Sequence, residues 1–275
     1  MTDNIDFLYH YTNIETLALI LSNHTFRFRS LDQMDDLQEK EISDLKNVGQ
    51  FCFISSWTDD STESIPMWNM YSSLHSGVRI KLATNPFKKY ANTPDSIQAV
   101  SKSPVTDNSN GNYIKSIITV ADMIAKKYIC PGGMSNNILH KVVYTSNPDE
   151  LYPKLVSQNE DEYTIAFGSL GKYKNIHWQF QREWRYILQI FPLDIDQNPD
   201  QLNTSAQIMI TKILQGLEKQ PFSYYDLTLD DTAYSNMEIT LSPKISPGNR
   251  LIVNTLIEKY NPSATVRDSS LLGLI

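Results

Sequence analysis

The side chains able to do chemistry fall in three polar and aromatic clusters. They are L-Y-H-Y-T-N at Leu8–Asn13, the stretch from S-W-T at Ser56–Thr58 through M-W-N-M-Y at Met67–Tyr71 to Gly77-Val78, and H-W-Q-F-Q-R-E-W-R at His177–Arg185. They offer an imidazole (His10), hydroxyls (Thr12, Ser56, Tyr71), amides (Asn13, Gln181), a carboxylate (Glu183) and indole rings. Such groups hydrogen-bond, stack and hold charge. Other chemistries are excluded. Glycine is scarce, 10 in 275 residues, where average usage is roughly 7%. Neither G-x-G-x-x-G nor G-x-x-x-x-G-K-[ST] occurs, so no glycine-rich loop cradles phosphates. Cys52 and Cys130 are too few for a disulfide framework or a Cys-based zinc site and read as free buried thiols. The five histidines include no H-x-x-x-H pair, so a zincin helix is excluded.

These clusters must be held by short strands and helices. Phe7–Tyr11 reads as a strand, and T-N-I-E at Thr12–Glu15 as a capping box opening a helix with Ile14, Leu17, Ala18 and Leu21 on one face. Thr25–Ser30 alternates, Phe26 and Phe28 inward, Arg27 and Arg29 outward. The tract Asp32–Asp44 carries six carboxylates against Lys40 and reads as a solvated face or loop. Phe51–Trp57 is a buried strand. Ser64 and Pro66 open a helix with Met67, Met70, Tyr71 and Leu74 on one stripe, and Val78, Ile80 and Leu82 alternate in a further strand.

Further on, Ile114–Ile129 reads as an amphipathic helix stopped by Pro131-Gly132-Gly133, Lys141–Ser146 as a strand, and Pro148–Lys174 as largely helical. In Glu183–Phe191, Trp184, Tyr186, Leu188 and Ile190 face one way, Glu183, Arg185 and Gln189 the other. A helix near Ser205–Leu217, a strand Met237–Leu241, a helix from Ser246-Pro247 to Tyr260 and a strand near Thr265–Asp268 complete the pattern. No repeat or linker demands a two-domain split. The expectation is one α+β domain over residues 1–275, with insertions near 83–112 and 221–234.

The net charge of −7 gives no support to non-specific binding of a nucleic-acid backbone. No apolar run approaches the ~18 residues of a membrane helix. The first residues, MTDNIDFLYHYT, lack a basic leader. A soluble, cytoplasmic protein without membrane association is expected.

With M-D-D-L-Q-E at Met34–Glu39 and E-I-T-L-S-P at Glu238–Pro243, the order of these motifs resembles the bacterial DUF2971 family. Its pattern runs H-Y-T, N-D-x-x-E, S-x-S, M-W-x-x-Y, G-V and E-W-R. Asp35 stands here where that family usually has Asn, and Thr58 where it usually has Ser. The family in turn looks like a remote relative of the ADP-ribosyltransferase superfamily. That resemblance implies a split, mostly antiparallel sheet with flanking helices, binding NAD in a cleft as substrate and needing no metal.

On this resemblance, breaking the ribose C1′–nicotinamide bond passes through an oxocarbenium-like state that a carboxylate near the 2′-OH stabilises. Glu183 takes that role, and Gln181, in Q-x-E spacing, contacts the acceptor. His10 would bond a ribose hydroxyl, and Thr12 or Asn13 the nicotinamide amide. Ser56 and Tyr71 would line the middle of the site, Tyr71 stacking on the ring and Trp68 walling the pocket. Arg29, with Arg27, would grip the pyrophosphate. Plainer readings stand beside these: a surface Glu183–Arg185 pair, a core His10, Thr12 as a cap, Trp68 in the core, and an exposed Arg27/Arg29 strand face.

The resemblance implies an NAD-dependent ADP-ribosyltransferase, a bacterial toxin or phage-defence effector. Its acceptor would be an RNA or DNA base or a protein, with a neutralising antitoxin protein as partner. The alternatives are an inactive nucleotide- or protein-binding module and an NAD glycohydrolase.

Overall fold

A computed structural model describes residues 5–36, 38–92, 114–134, 138–159, 162–193 and 202–275. The strands are β1 Phe7–Asn13, β2 Thr25–Ser30, β3 Cys52–Thr58, β4 Gly77–Ala83, β5 Tyr90–Asn92, β6 Ile114–Ser116, β7 Tyr128–Ile129, β8 Leu139–Lys141, β9 Val143–Thr145, β10 Val156–Asn159, β11 Glu162–Ile165, β12 Tyr173–Asn175, β13 Glu183–Gln189, β14 Phe191–Pro192, β15 Tyr224–Thr228, β16 Glu238–Leu241 and β17 Thr265–Arg267. Nine form the main sheet, in the order β15-β2-β3-β1-β4-β16-β17, with β13 on the other edge of β3 and β8 beyond it. All its described pairs are antiparallel except β16–β17. The class is α+β with a large, mostly antiparallel sheet.

The sheet divides along β3. On one edge β3 pairs with β13 over its full length, from Gln189↔Cys52 to Glu183↔Thr58. On the other it pairs with β2 at Phe53 and Ile54 and with β1 only at Thr58. Ser55, Ser56 and Trp57 therefore face a gap between β1 and β2, the two strands joined by α1 (Ile14–Asn23).

Helix α1 forms because Ile14, Leu17, Ile20 and Leu21 recur on one buried face. Its cap differs from the expected box: Asn13, not Thr12, accepts a hydrogen bond from Thr16 N at 2.7 Å. β2 alternates as its sequence dictates, Phe26 and Phe28 buried and Arg27 and Arg29 exposed. Helix α2 (Ile65–Tyr71) is capped by Ser64 and buries Met67 and Trp68, while Met70 is exposed, so the expected Met67/Met70 stripe is rotated.

One large core lies against β1, β4, β13 and β16, and includes Phe26, Trp57, Trp184, Tyr186 and Leu188. A second, with Leu31, Leu45, Ile54, Leu170 and Ile187, covers the opposite face of β3 and β13. β13 is thus buried on both faces.

Three expectations are corrected. Ile114–Ile129 is not one helix: β6 and β7 bracket a short helix, Val120–Lys126. Asn92 accounts for the break, donating to Ser116 Oγ at 2.6 Å and accepting from Val120 N at 3.2 Å. Among the described residues, Pro148–Lys174 is α-helical only over Pro148–Leu151, with one 3₁₀ turn at Phe167–Ser169; β10 and β11 pair antiparallel, and β12 pairs in parallel with β9. Here the backbone N–H groups of Leu155 and Val156 go to the Asp44 carboxylate at 3.1 and 2.8 Å rather than to a helical ladder. The tract near 221–234, expected as an insertion, supplies β15, which pairs with β2 along Tyr224↔Arg29 to Thr228↔Thr25. Most of the expected insertion near 83–112 lies outside the described residues.

Candidate functional site

The gap beside β3 opens into two adjoining clefts. The first, about 100 Å³, is lined by aromatic side chains (Tyr9, Tyr11, Tyr71, Trp178), by His10 and Ser56, and by the charged cluster around Glu183. The second, about 300 Å³, runs along α1 and β2 past Thr12, Thr25, Arg27 and Arg29. His10, Tyr11, Met34, Asp35, Ser56 and Tyr71 border both.

His10 stands at the junction. Its Nδ1 lies 2.8 Å from the Ser56 carbonyl that the gap leaves unpaired. Its ring packs on Phe26 and Trp57, each 5.1 Å away between centroids. Burial pushes its pKa below the ordinary histidine value, against the smaller opposing effect of the Ser56 carbonyl.

Glu183 opens β13 immediately after Arg182, a residue in the left-handed region (φ 46°). That turn ends the 3₁₀ segment Ile176–Gln181 and sends the chain into the sheet. Arg182 is steadied by an ion pair with Asp59 at 2.8 Å. Glu183 is not the surface carboxylate of the plainer reading, being 5% exposed.

Four charged side chains meet there. Arg185 Nε donates to Glu183 Oε1 at 2.7 Å, and Lys174 Nζ to Glu183 Oε2 at 2.9 Å. Glu39 reaches the same two cations, at 2.6 Å from Arg185 and 3.0 Å from Lys174. Arg185 also donates to the Gly171 carbonyl at 2.9 Å. Gly171 has φ +73°, a conformation that favours glycine and aims this carbonyl inward. Burial raises the Glu183 carboxyl's pKa, but Arg185, Lys174 and a hydrogen bond from Ser56 outweigh it and bring the value down to about 2. Glu183 is therefore an anion at neutral pH. It can accept hydrogen bonds and stabilise positive charge, but it is too weak a base to take a proton.

Gln181 lies in the same cleft, 2% exposed. Its amide oxygen accepts from Lys174 at 2.9 Å, and its amide nitrogen donates to the Tyr71 hydroxyl. Tyr71 and Gln181, far apart in sequence, form one wall.

The other expected residues divide. Ser56 and Thr12 border the clefts. Arg29 lines the second, its exposed guanidinium without an ion pair among the described residues. Arg27 is already engaged, paired with Asp226 through bonds of 2.8 and 2.9 Å and lying 3.6 Å over the Tyr224 ring. Asn13 borders neither cleft, because its side chain is taken by the α1 cap. Trp68 is corrected to the core: it is fully buried, packs edge-on to Tyr11, and donates its indole N–H to Glu63 at 3.0 Å.

Sequence reasoning missed Glu39, Lys174 and Trp178. Trp178 sits in H-W-Q-F-Q-R-E-W-R, close enough to Gln181 to have been considered, and Lys174 lies 5.0 Å over its ring. Glu39 is the closing Glu of M-D-D-L-Q-E, the N-D-x-x-E position of the resemblance, but that motif gave it no role in the site.

Among the described residues, no group of three or more His, Cys, Asp or Glu is arranged to hold a metal ion. None of their helices is long and apolar enough to cross a membrane. The family described as a protein of unknown function (DUF2971) matches residues 67–186. This supports the DUF2971 resemblance over the span that carries Tyr71, Lys174, Gln181 and Glu183. No curated protein and no solved structure matches the chain.

Proposed function

We propose that this cleft binds NAD and transfers its ADP-ribosyl group to an acceptor, the chain acting as a toxin or phage-defence effector on nucleic acid or protein. The observation that carries the reading is the convergence of His10, Ser56, Tyr71, Gln181 and ionised Glu183 on one cleft. A second groove beside it presents exposed Arg29, whose guanidinium has no ion pair among the described residues.

The residues suit the two halves of such a substrate. Arg29 offers a charge-assisted fork to a pyrophosphate. The smaller cleft, walled by Tyr9, Tyr11, Tyr71 and Trp178, suits a flat cationic ring, since aromatic faces attract cations and stack on planar groups. When the C1′–nitrogen bond breaks, its electron pair leaves with nicotinamide and positive charge grows on the ribose. The Glu183 carboxylate is the nearby anion that favours this state over the ground state. The neutral His10 imidazole donates from Nδ1 to Ser56, which leaves Nε2 as an acceptor for a ribose hydroxyl.

One observation favours water as the acceptor, the NAD glycohydrolase reading. The Gln181 amide, the expected acceptor contact, is engaged at both ends by Lys174 and Tyr71, which turns it away from holding a macromolecular acceptor.

Incubation with labelled NAD and cell lysate, followed by nuclease or protease digestion, tests the proposal. Label lost to nuclease identifies a nucleic-acid acceptor, label lost to protease a protein, and free ADP-ribose alone a hydrolase. Unchanged NAD in the presence of the wild-type chain rejects all three and leaves a binding module.

A further inference from the structure

Glu39 belongs to a tract that reads as a solvated acidic face, yet its side chain is 3% exposed. It reaches the cleft from a strap between β2 and β3 that is fixed at two carboxylates. Asp44 holds the strap to the backbone of Leu155 and Val156, and Glu39 holds it to Arg185 and Lys174. The strap brings Met34, Asp35 and Asp36 to the cleft wall.

The four ion pairs close a ring: Glu183–Arg185, Arg185–Glu39, Glu39–Lys174 and Lys174–Glu183. Its formal charge is zero. In a buried site an imbalance of one charge is poorly screened, so the neutrality of the ring matters more than any single pair. Without Glu39, both cations would act on Glu183 alone and the ring would carry a surplus positive charge.

We propose that Glu39 is a positioning residue of the cleft: by sharing Lys174 and Arg185 with Glu183, it seats the strap and balances the second positive charge beside Glu183. The consequence for turnover rests on the ADP-ribosyl reading, in which positive charge grows on the ribose beside Glu183. A surplus cation there opposes the transition state more than it opposes binding, because cleavage moves the positive charge from the nicotinamide ring to the ribose carbon beside Glu183.

Glu39→Gln keeps the shape and removes the charge. The expected result is a kcat for NAD loss lower by about tenfold or more, with KM within about twofold of wild type. Adding Lys174→Met returns the ring to formal neutrality and restores kcat toward wild type. A merely structural Glu39 gives the opposite result, a double variant worse than either single one.

Thermal unfolding of wild type, both single variants and the double variant reads the same coupling without substrate. A Tm drop in Glu39→Gln that Lys174→Met partly reverses supports the proposal, and additive losses in both kcat and Tm overturn it. If Glu39→Gln fails to fold, a folded double variant supports the proposal and an unfolded one overturns it. Coupled Tm values in a wild-type chain that consumes no NAD reject the ADP-ribosyl reading and leave the positioning role of Glu39 standing.

Discussion

His10 Nδ1 and the Ser56 carbonyl oxygen, 2.8 Å apart, bridge the gap where β3 pairs with neither β1 nor β2. A carbonyl only accepts, so this bond fixes the imidazole tautomer and leaves Nε2 as an acceptor. His10→Phe keeps the ring packing on Phe26 and Trp57 but leaves the carbonyl without its donor. The expected cost is about 1 kcal/mol of stability by urea denaturation. NAD loss should fall by about tenfold or more, the effect of losing one transition-state hydrogen bond. Unchanged turnover would remove His10 from the site.

Glu183→Gln should abolish NAD loss in the labelled assay while leaving soluble, folded protein. Taking one charge from the ring leaves a buried cation uncompensated, so a loss of up to about 3–5 kcal/mol is expected on denaturation. A variant that turns NAD over at the wild-type rate would mean that the carboxylate is structural only.

The pH profile of stability has a definite sign. The Glu183 carboxyl is held at about 2 against an ordinary 4.5, so its stabilisation is complete above the unfolded value and is lost as pH falls toward 2. His10 acts in the same direction at a higher pH. Its folded pKa lies below the ordinary 6.5, so protonation below that value favours the unfolded chain. Urea midpoints should therefore fall as pH drops below 6.5 and fall further below 4.5. In Glu183→Gln the lower step should be smaller, and a wild-type midpoint that stays flat from pH 7 to 3 would contradict the charge assignment.

Arg27 and Arg29 are two residues apart on one strand face, yet they should behave differently. Arg29→Ala should raise KM for NAD by about tenfold, the loss of one charge-assisted hydrogen bond, with little change in Tm. Arg27→Ala should leave KM close to wild type, because its guanidinium is already held by Asp226. Equal effects on KM would show that the groove does not read the pyrophosphate through Arg29.

Asn13→Ala separates the helix cap from the cleft. It should cost about 1 kcal/mol of stability, the usual effect of losing a cap acceptor, and leave KM unchanged. An increase in KM without loss of stability would return Asn13 to the substrate side.

Local patterning carried much of the sheet. The alternation in Thr25–Ser30 set Phe26 and Phe28 inward, and that in Glu183–Gln189 put Glu183 and Arg185 on one face. Alternation says which side chains share a face, not what covers it. The second core and the strap bury this face, so Glu183 was read as open when it is enclosed. The helical readings of 114–129 and 148–174 failed where distant side chains, Asn92 and Asp44, satisfy backbone or polar groups that a helix would otherwise have paired. His10, Ser56, Tyr71, Gln181 and Glu183 were identified through the ordered motifs. Glu39 closes the M-D-D-L-Q-E motif, but its partners Lys174 and Arg185 lie more than a hundred residues on, so the motif alone could not assign it a role.

The strand order also bears on how the fold is reached. β1 pairs with β4, but beyond β4 lies β16, and beyond β2 lies β15, both from the chain after residue 223. Both flanks of the sheet therefore wait for distant segments, and closing such long loops costs entropy before any contact repays it. Refolding from urea should accordingly be slow for a chain of this length. During synthesis, the strands flanking the gap emerge long before the neighbours that cover their outer edges, a period when exposed strand edges favour association with other chains.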